Sequence, residues 1–508
     1  MSRGRPASLA DTLLWTALSA GLLVLSFPRL GIFPLAWIAL VPWLGISRKL
    51  PLRQALLASL GLGFFYFGGL LYWVALFGCV PWLLLSLFQS FFIAAAGLGV
   101  WLCRHLNRWW RILAAASLWV VFEWLRGRGP FGFTWGWLGY SQSPWRGLIQ
   151  IVSVTGVPGL SFLIVLHNAA LAEGLRFGET RLIRRLVPLG AAWGLILLVA
   201  LFGRCRAEAL ARVSRSLKVS IVQPAAREPR PEDIGHFWPK EDLRQEQALL
   251  KALTQEAALQ RPELIVWPES AVPAVLNGDE ALLSWVGEMA REGGCWLLLG
   301  AAYGDRAGNM YNSAYLLSPE GRLAGHYEKV QLVPFGEFVP GRNWLPGLRY
   351  YPIREYDLAA GSGFHTLQGG RNRLGVSICF ESIFPHISRS FARQGANLLV
   401  IITNDGWFRR TAAPAQHRQM AVFRAVETGR WVARAALTGI SCVISPRGEI
   451  LQELGIYQRG VLTERVGAGE GLTFYTRRGD WFIALCGLLA AAGIVQSLRL
   501  KITHPRAE

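Results

Sequence analysis

Three residues able to do acyl chemistry together stand beside apolar runs in the C-terminal half of the chain. Cys379 ends the strand-like run Arg373-Leu-Gly-Val-Ser-Ile-Cys and is followed by Phe380-Glu381-Ser382. Glu269 ends a second run, Leu264-Ile-Val-Trp-Pro-Glu, and Lys329 lies between them in Tyr327-Glu-Lys-Val-Gln-Leu-Val-Pro-Phe-Gly-Glu337. A thiol nucleophile, a carboxylate to take its proton and an ammonium to hold an oxyanion form a complete acyl-transfer apparatus.

Each role sets a structural requirement. Cys379 should leave its strand at an elbow into a helix beginning around Glu381, with Pro385 in the first turns. The positive helix end would then lower the thiol pKa, and the Phe380 N–H would supply an oxyanion donor. Glu269, just past Trp267-Pro268, should project into a cleft as general base and later as general acid or base for an amine. Glu337, eight residues after Lys329, can fold back to fix the ammonium. Singly, each residue has an ordinary alternative: a buried core thiol, a solvated loop carboxylate, a lysine on a solvated face. Their joint occurrence at strand ends favours chemistry.

These groups belong to a chain of 508 residues, 52% hydrophobic, with a formal net charge of +19 and a mean hydropathy of +0.31. That hydropathy places part of the chain in lipid. The basic residues are spread along the chain and flank apolar runs, and no nucleic-acid-binding motif accompanies them, so membrane topology explains the charge better than RNA or DNA. Seven cysteines without a CxxC pair argue against a zinc site or a disulfide framework. Cys79, Cys103 and Cys486 fall in apolar segments, and Cys205, Cys295 and Cys442 are expected to be buried core thiols. The sequence carries no ligand cluster for a metal, and no metal or diffusible cofactor is expected.

Apolar runs near 10–28, 31–47, 54–76, 80–103, 110–126, 148–174, 185–203 and 479–498 are each expected to cross a bilayer as a helix. Eight is even, so both termini share a side. The N-terminus (Arg3, Arg5), the tail (Arg499, Lys501) and alternate loops (Arg48, Lys49, Arg53; Arg104, Arg108, Arg111; Arg176, Arg181, Arg184, Arg185) are basic. By the positive-inside rule these face the cytoplasm, and the long segment between spans seven and eight lies outside. The first span is expected to be retained. Glu123, near a membrane interface, is expected to pair with Arg126 or Arg128.

The outer segment reads as an α/β domain. Strand-like runs lie at Lys218–Gln223, Leu264–Trp267, Cys295–Gly300, Ser313–Leu317, Leu374–Cys379, Leu398–Thr403 and Ile440–Ser445, with helical patterns at Asp242–Leu259 and Glu280–Arg291. Strands alternating with helices imply a sheet layered by helices. The expected division is 1–205, 217–466 and 476–508.

Four motifs of this segment, WPES at 267–270, EKVQLVPFGEF at 328–338, ICFES at 378–382 and TNDGWF at 403–408, resemble the nitrilase (carbon–nitrogen hydrolase) superfamily. Earlier in the chain, Phe33-Pro-Leu-Ala-Trp-Ile-Ala-Leu-Val-Pro42, Leu71-Tyr-Trp-Val74, Phe122-Glu-Trp-Leu-Arg-Gly127, Gly139-Tyr-Ser-Gln142 and Gly159-Leu-Ser-Phe162 resemble the bacterial apolipoprotein N-acyltransferase family. Together the two resemblances cover nearly the full chain. They imply an α-helical membrane bundle of eight transmembrane helices carrying an extracytoplasmic α-β-β-α nitrilase-like sandwich, in the cytoplasmic (inner) membrane. They also imply a ping-pong acyltransferase. A glycerophospholipid would donate an acyl chain to Cys379 as a thioester, and the N-terminal amine of an S-diacylglyceryl-cysteine lipoprotein would receive it, with the enzyme acting as a monomer. Carried over by residue, the resemblance assigns Cys379 as nucleophile, Glu269 as proton acceptor, Lys329 as oxyanion stabiliser, and Glu337 and Glu381 as supporting carboxylates.

The chain departs from the family pattern in places. Phe380 follows the nucleophile where Tyr is frequent, Gln223-Pro224-Ala225 stands for Gln-Gly-Asn, and Gly132-Phe-Thr-Trp135 lacks the usual Pro. Trp238, in His236-Phe-Trp-Pro239, matches a mobile-loop Trp of the family and reads equally as part of an amphipathic loop. Trp407-Phe408-Arg409-Arg410 follows directly on a strand end, so it should share the rim of Cys379, where aromatics and arginines suit a lipid interface and phosphate; a solvated basic turn is the alternative. Two other functions share features of this chain. A membrane-anchored amidase would release free acid, and a transporter or scaffold with an outer domain would tolerate loss of Cys379.

Overall fold

Proline and glycine set where the apolar runs of the first part are helical. The structure, a computed structural model, describes residues 8–175, 182–210, 216–225, 240–342, 357–469 and 471–503, and one unit comprises Met1–Glu208 with Arg478–Glu508. Its helices are α1 (Leu9–Leu25), α2 (Val41–Ser47), α3 (Leu52–Leu70), α4 (Cys79–Leu102), α5 (Arg108–Leu125), the single turns α6 (Arg146–Ile149) and α7 (Val152–Thr155), α8 (Val157–Gly174), α9 (Leu182–Leu210) and the C-terminal helix Trp481–Thr503. The run 31–47 is not one helix. A 3-10 turn at Phe33–Trp37 is followed by a bend, and α2 begins only at Val41, with Pro42 in its first turn. Proline suits a first turn and cannot continue the ladder behind it. The run 54–76 stops being α-helical at Leu70, and 148–174 is unbroken only from Val157, after Gly156 at φ 69°. Among the described residues, four helices are long and apolar enough to cross a membrane, lying within Cys79–His105, Val157–Gly174, Arg185–Leu210 and Trp481–Leu500.

Where these helices break, buried side chains take over the backbone's hydrogen bonds, as an apolar surrounding requires. Asn168 of α8 donates to Ala36 O at 2.9 Å and accepts from the Leu40 N–H at 2.8 Å. Gln142 donates to Phe33 O at 3.0 Å. Arg126, buried at the end of α5, donates to the carbonyls of Phe133 and Trp135, each at 2.8 Å, and to Gln89 Oε1 at 3.1 Å. Glu123 accepts from the Leu138 N–H at 2.7 Å and the Trp119 indole at 3.3 Å. Glu123 and Arg126 attract one another electrostatically, as expected, but these hydrogen bonds go to other groups, and Arg128 pairs with Asp480. The physical reason is the irregular backbone after α5, whose amides and carbonyls have no helix to bond them.

The second unit, Ala209–Arg477, stacks two sheets between helices. Its strands are β1 (Leu217–Gln223), β2 (Leu264–Val266), β3 (Val272–Val275), β4 (Trp296–Gly304), β5 (Met310–Leu317), β6 (Leu323–Glu328), β7 (Leu367–Gly369), β8 (Asn372–Ile378), β9 (Leu398–Thr403), β10 (Trp431–Ala436), β11 (Ser441–Ile444), β12 (Ile450–Leu454) and β13 (Gly460–Val466). One sheet has the order β13-β1-β2-β4-β5-β6 with β3 beside β4, and the other β12-β11-β10-β9-β8-β7. In each, the central strands are parallel: β1 with β2 with β4, and β8 with β9 with β10. Helices α10 (Lys240–Leu259) and α11 (Glu280–Gly293) cover the first sheet; α12 (Pro385–Arg393) and α13 (Ala413–Thr428) pack on the second. α11 illustrates the local cause. Asp279 caps its N-terminus by accepting from the Leu282 N–H at 2.9 Å, Gly294 ends it at φ 57°, and Leu282, Val286, Met289 and Ala290 face the core at helical spacing. The larger of these side chains each contribute roughly 1.5–3 kcal/mol by burial.

Gln223, at the end of β1, joins the two sheets. Its amide nitrogen donates to the carbonyls of Gly439, Gly455 and Gln458 at 3.2, 2.8 and 2.7 Å, and its oxygen accepts from the Ser441 N–H at 3.0 Å. Gln223→Ala strands these buried groups, which should cost about 2–4 kcal/mol and lower the thermal midpoint of this unit by roughly 5–10 °C. An unchanged melting curve would show that the bridge contributes nothing.

Candidate active site

The carboxyl ends of β2, β6, β8 and β9 deliver the chemistry to one place. Lys329, the residue after β6, is only 1% exposed. Its ammonium donates to Glu337 Oε1 at 2.9 Å and lies 3.5 Å from Glu269 Oε1. Asn312 of β5 donates one amide nitrogen to both carboxylates, at 2.8 Å to Glu269 and 2.9 Å to Glu337. The remaining oxygens accept backbone N–H groups, Asn404 to Glu269 at 2.7 Å and Val333 to Glu337 at 2.8 Å. Gly300 of β4 lets Glu269 approach, since a Cβ there would fall 2.6 Å from Glu269 Cα. Burial alone would lower the Lys329 pKa. The charges of Glu337 and Glu269 outweigh burial and hold it well above the usual lysine range. Burial likewise acts to raise Glu337, and Lys329 outweighs it to keep that carboxyl low.

Cys379 is half-buried and adopts φ 51°, a left-handed conformation costing about 1–2 kcal/mol in a residue with a Cβ. A 3-10 turn, Cys379–Ile383, follows, and α12 starts only at Pro385 rather than around Glu381. The expected lowering of the thiol pKa does not occur. Burial and then the negative charge of Glu269 push it up, and the opposing pull of Lys329 is smaller. A raised pKa favours the neutral thiol at rest. Among the described residues three groups donate to Glu269: the Asn312 amide, the Lys329 ammonium and the Asn404 N–H.

Glu381 ties the two reactive segments together. Its Oε1 accepts from the Tyr327 hydroxyl at 2.8 Å and from the N–H groups of Val330 and Gln331 at 2.8 and 3.2 Å, while Oε2 accepts from the Ile378 N–H at 2.8 Å. The first set fixes the residues beside Lys329, the last the residue before Cys379. Burial raises the Glu381 pKa to about 7 in spite of these donors and the Lys329 charge.

Sequence reading assigned no role to Asn312, Tyr327, Ser382, Thr403, Asp405, His417 or Arg434, which surround the three central residues. Asp405, two residues past β9, accepts from Thr403 at 2.9 Å, His417 Nδ1 at 2.9 Å and Arg434 at 2.7 Å. Burial would raise Asp405, but Arg434 and His417 outweigh it and hold its pKa at about 2. The signal for Asp405 was its place two residues after an apolar strand. Of the rim residues, Trp407 and Phe408 are half-buried and Arg409 and Arg410 exposed, with the Arg410 guanidinium 4.7 Å from the centre of the Tyr457 ring. Trp238 lies outside the described residues. Cys295 and Cys442 are buried, whereas Cys205 is exposed on α9 and does not fill a core position.

The Glu381 geometry has a consequence for pH. Its folded pKa lies above its unfolded value, so its contribution to stability is fully present below the unfolded value of about 4.5 and is lost as pH rises through about 7. Thermal midpoints of the wild type should therefore include a decrease between pH 5 and 8 that Glu381→Gln, which cannot ionise, lacks. Parallel pH slopes in the two proteins would rule this out.

Comparison with known proteins follows the same division of the chain. Residues 218–469 match the carbon–nitrogen hydrolase family, and residues 19–170 match the apolipoprotein N-acyltransferase N-terminal domain. The apolipoprotein N-acyltransferase of Geobacter metallireducens is 36% identical, covering 97% of this chain and 96% of the relative. That of Pseudomonas syringae pv. tomato is 32% identical over 96% of both chains, and that of Haemophilus ducreyi 29% identical over 94% of this chain and 95% of its own. A single family accounts for both halves of the sequence at once, and the chain belongs to it: the apolipoprotein N-acyltransferases.

Proposed function

We propose that this protein is a membrane N-acyltransferase that moves an acyl chain from a glycerophospholipid, through a thioester on Cys379, to the N-terminal amine of S-diacylglyceryl-cysteine lipoproteins. One observation carries the reading: a buried ammonium paired with two carboxylates is an electrostatic neighbour of Cys379, in a chain whose two parts match one acyltransferase family.

Glu269 takes the thiol proton as the Cys379 sulfur attacks the phospholipid ester carbonyl. Lys329 and the Phe380 N–H hold the resulting oxyanion, and Glu337 fixes the ammonium. Collapse breaks the ester C–O bond, and protonated Glu269 returns its proton to the departing lysophospholipid oxygen. The lipoprotein amine then attacks the thioester, Glu269 takes a proton from it, and the Cys379 sulfur leaves and is reprotonated. A thioester conserves enough reactivity for amide formation. No step calls on a metal or cofactor. Each proposed reacting group comes from this one chain, which supports action as a monomer.

The proposed setting is the inner membrane, with eight spans, the second a broken helix, and both termini cytoplasmic. The Lys/Arg bias of the loops supports this, as do the long apolar helices. The proposed regions are 1–205, 217–466 and 476–508, with the catalytic region on the outer face. Trp407, Arg409 and Arg410 are proposed to meet the phospholipid at the interface, where guanidinium suits phosphate.

Intact-mass analysis of protein incubated with phospholipid should show one acyl increment, removed by hydroxylamine and missing from Cys379→Ala. Free fatty acid as the sole product would favour an amidase-like hydrolase instead. Lys329→Met should slow thioester formation and amine acylation alike, each by ~10²-fold, in single-turnover measurements; slowing of one step alone would demand another role. Arg409→Glu with Arg410→Glu should weaken thioester formation from phospholipid and spare acylation from a preformed thioester. An unchanged dependence on phospholipid concentration would return the pair to a solvated turn.

A further inference from the structure

A second polar constellation lies directly behind the nucleophile. Asp405 Oδ1 accepts from His417 Nδ1 at 2.9 Å, and His417 Nε2 is 2.8 Å from Ser382 Oγ. This has the connectivity of a serine–histidine–aspartate triad. All three side chains are buried, Ser382, His417 and Asp405 being 0, 1 and 1% exposed. The Ser382 hydroxyl instead meets the backbone carbonyl of Cys379, at 2.8 Å.

We propose that His417 is a positioning residue for the nucleophile turn, acting through Ser382 on the Cys379 carbonyl. His417 Nδ1 faces the Asp405 carboxylate at 2.9 Å and an Arg434 nitrogen at 3.2 Å, while Arg434 donates to the other Asp405 oxygen at 2.7 Å. The Ser382 hydroxyl thus lies within hydrogen-bond distance of both the ring Nε2 and the Cys379 carbonyl, to which it donates, and bridges them. Gly439 permits the arrangement, since a Cβ there would fall 2.4 Å from Asp405 Oδ2. The Cys379 residue is in the left-handed region, so its peptide orientation needs external support. A peptide unit is planar and trans, so a carbonyl anchored toward Ser382 sends the following N–H the opposite way. That N–H belongs to Phe380, the proposed oxyanion donor. The Ile378 peptide on the other side is already held by Glu381. The chain Asp405–His417–Ser382 therefore sets the aim of the oxyanion donor, with no contact to substrate.

This inference rests on Cys379 being the acylated residue and does not depend on the acyl donor being a phospholipid. Two reagents separate aim from reactivity. A p-nitrophenyl acyl ester acylates the thiol through an oxyanion and releases p-nitrophenolate; iodoacetamide alkylates it by direct displacement without one. Single-turnover rates of both would be measured on the full-length protein in detergent, together with its thermal midpoint. Ser382→Ala and His417→Leu should slow ester acylation by roughly 10- to 100-fold and change alkylation by less than about threefold. His417→Gln, whose amide can still meet the Ser382 hydroxyl, should recover most of the loss. The Ser382→Ala, His417→Leu double variant should be no slower than the slower single variant. Equal losses with both reagents, multiplying effects in the double variant, or unchanged ester acylation would each overturn the proposal. A wild type acylated by the ester and not by phospholipid would refute the phospholipid reading alone. A wild type unreactive toward the ester would refute the nucleophile and this proposal together.

Discussion

The burial of one ammonium organises the catalytic unit. An unpaired lysine this deeply buried would lose its proton or drag water in with it. Lys329 keeps its charge because Glu337 and Glu269 come to it from separate loops, and each carboxylate is anchored in turn by Asn312 and a backbone N–H. The cluster is therefore an electrostatic unit that closes only when β2, β5, β6 and the loop before Glu337 are all in register. One consequence reaches Cys379. The same carboxylate that stabilises Lys329 opposes a thiolate, so the Cys379 thiol keeps its proton.

The backbone around Cys379 is held on both sides. Cys379 takes a conformation that L-residues avoid, and flanking groups pin the peptides on either side: Glu381 on the Ile378 N–H and Ser382 on the Cys379 carbonyl. Glu381 also holds Val330 and Gln331, so the lysine and the thiol are referenced to one carboxylate. Its four donors outline an acceptor site, and burial is what keeps its pKa about 7.

The helical unit follows a related rule in an apolar setting. Irregular backbone survives there because Asn168, Gln142, Arg126 and Glu123 bond its carbonyls and amides. Arg126 and Glu123, which also attract one another, each hydrogen-bond peptide groups here, whereas Arg128 and Asp480 form an ion pair.

The sequence by itself determined the residues with chemical potential and the elements whose cause is local. Glu269, Lys329, Cys379 and Glu337 were legible because each follows or precedes an apolar run of strand or turn type. The runs at Lys218–Gln223, Leu398–Thr403 and Asp242–Leu259 were legible because their burial pattern is written in consecutive residues. Elements that depend on partners were not. Helix α13 is buried although it carries Gln416, His417, Gln419, Arg424 and Glu427, so it has no apolar stripe to announce it. Strands β12 and β13 are half-exposed edges whose pairing is set by their neighbours. The break between Phe33 and Val41, the partner of Glu123 and the raised thiol pKa were likewise decided in three dimensions. A pKa or a hydrogen-bond partner depends on every charge and dipole within a few ångströms. The residues that meet around Asp405, Ser382, His417 and Arg434 become neighbours only when the chain has folded.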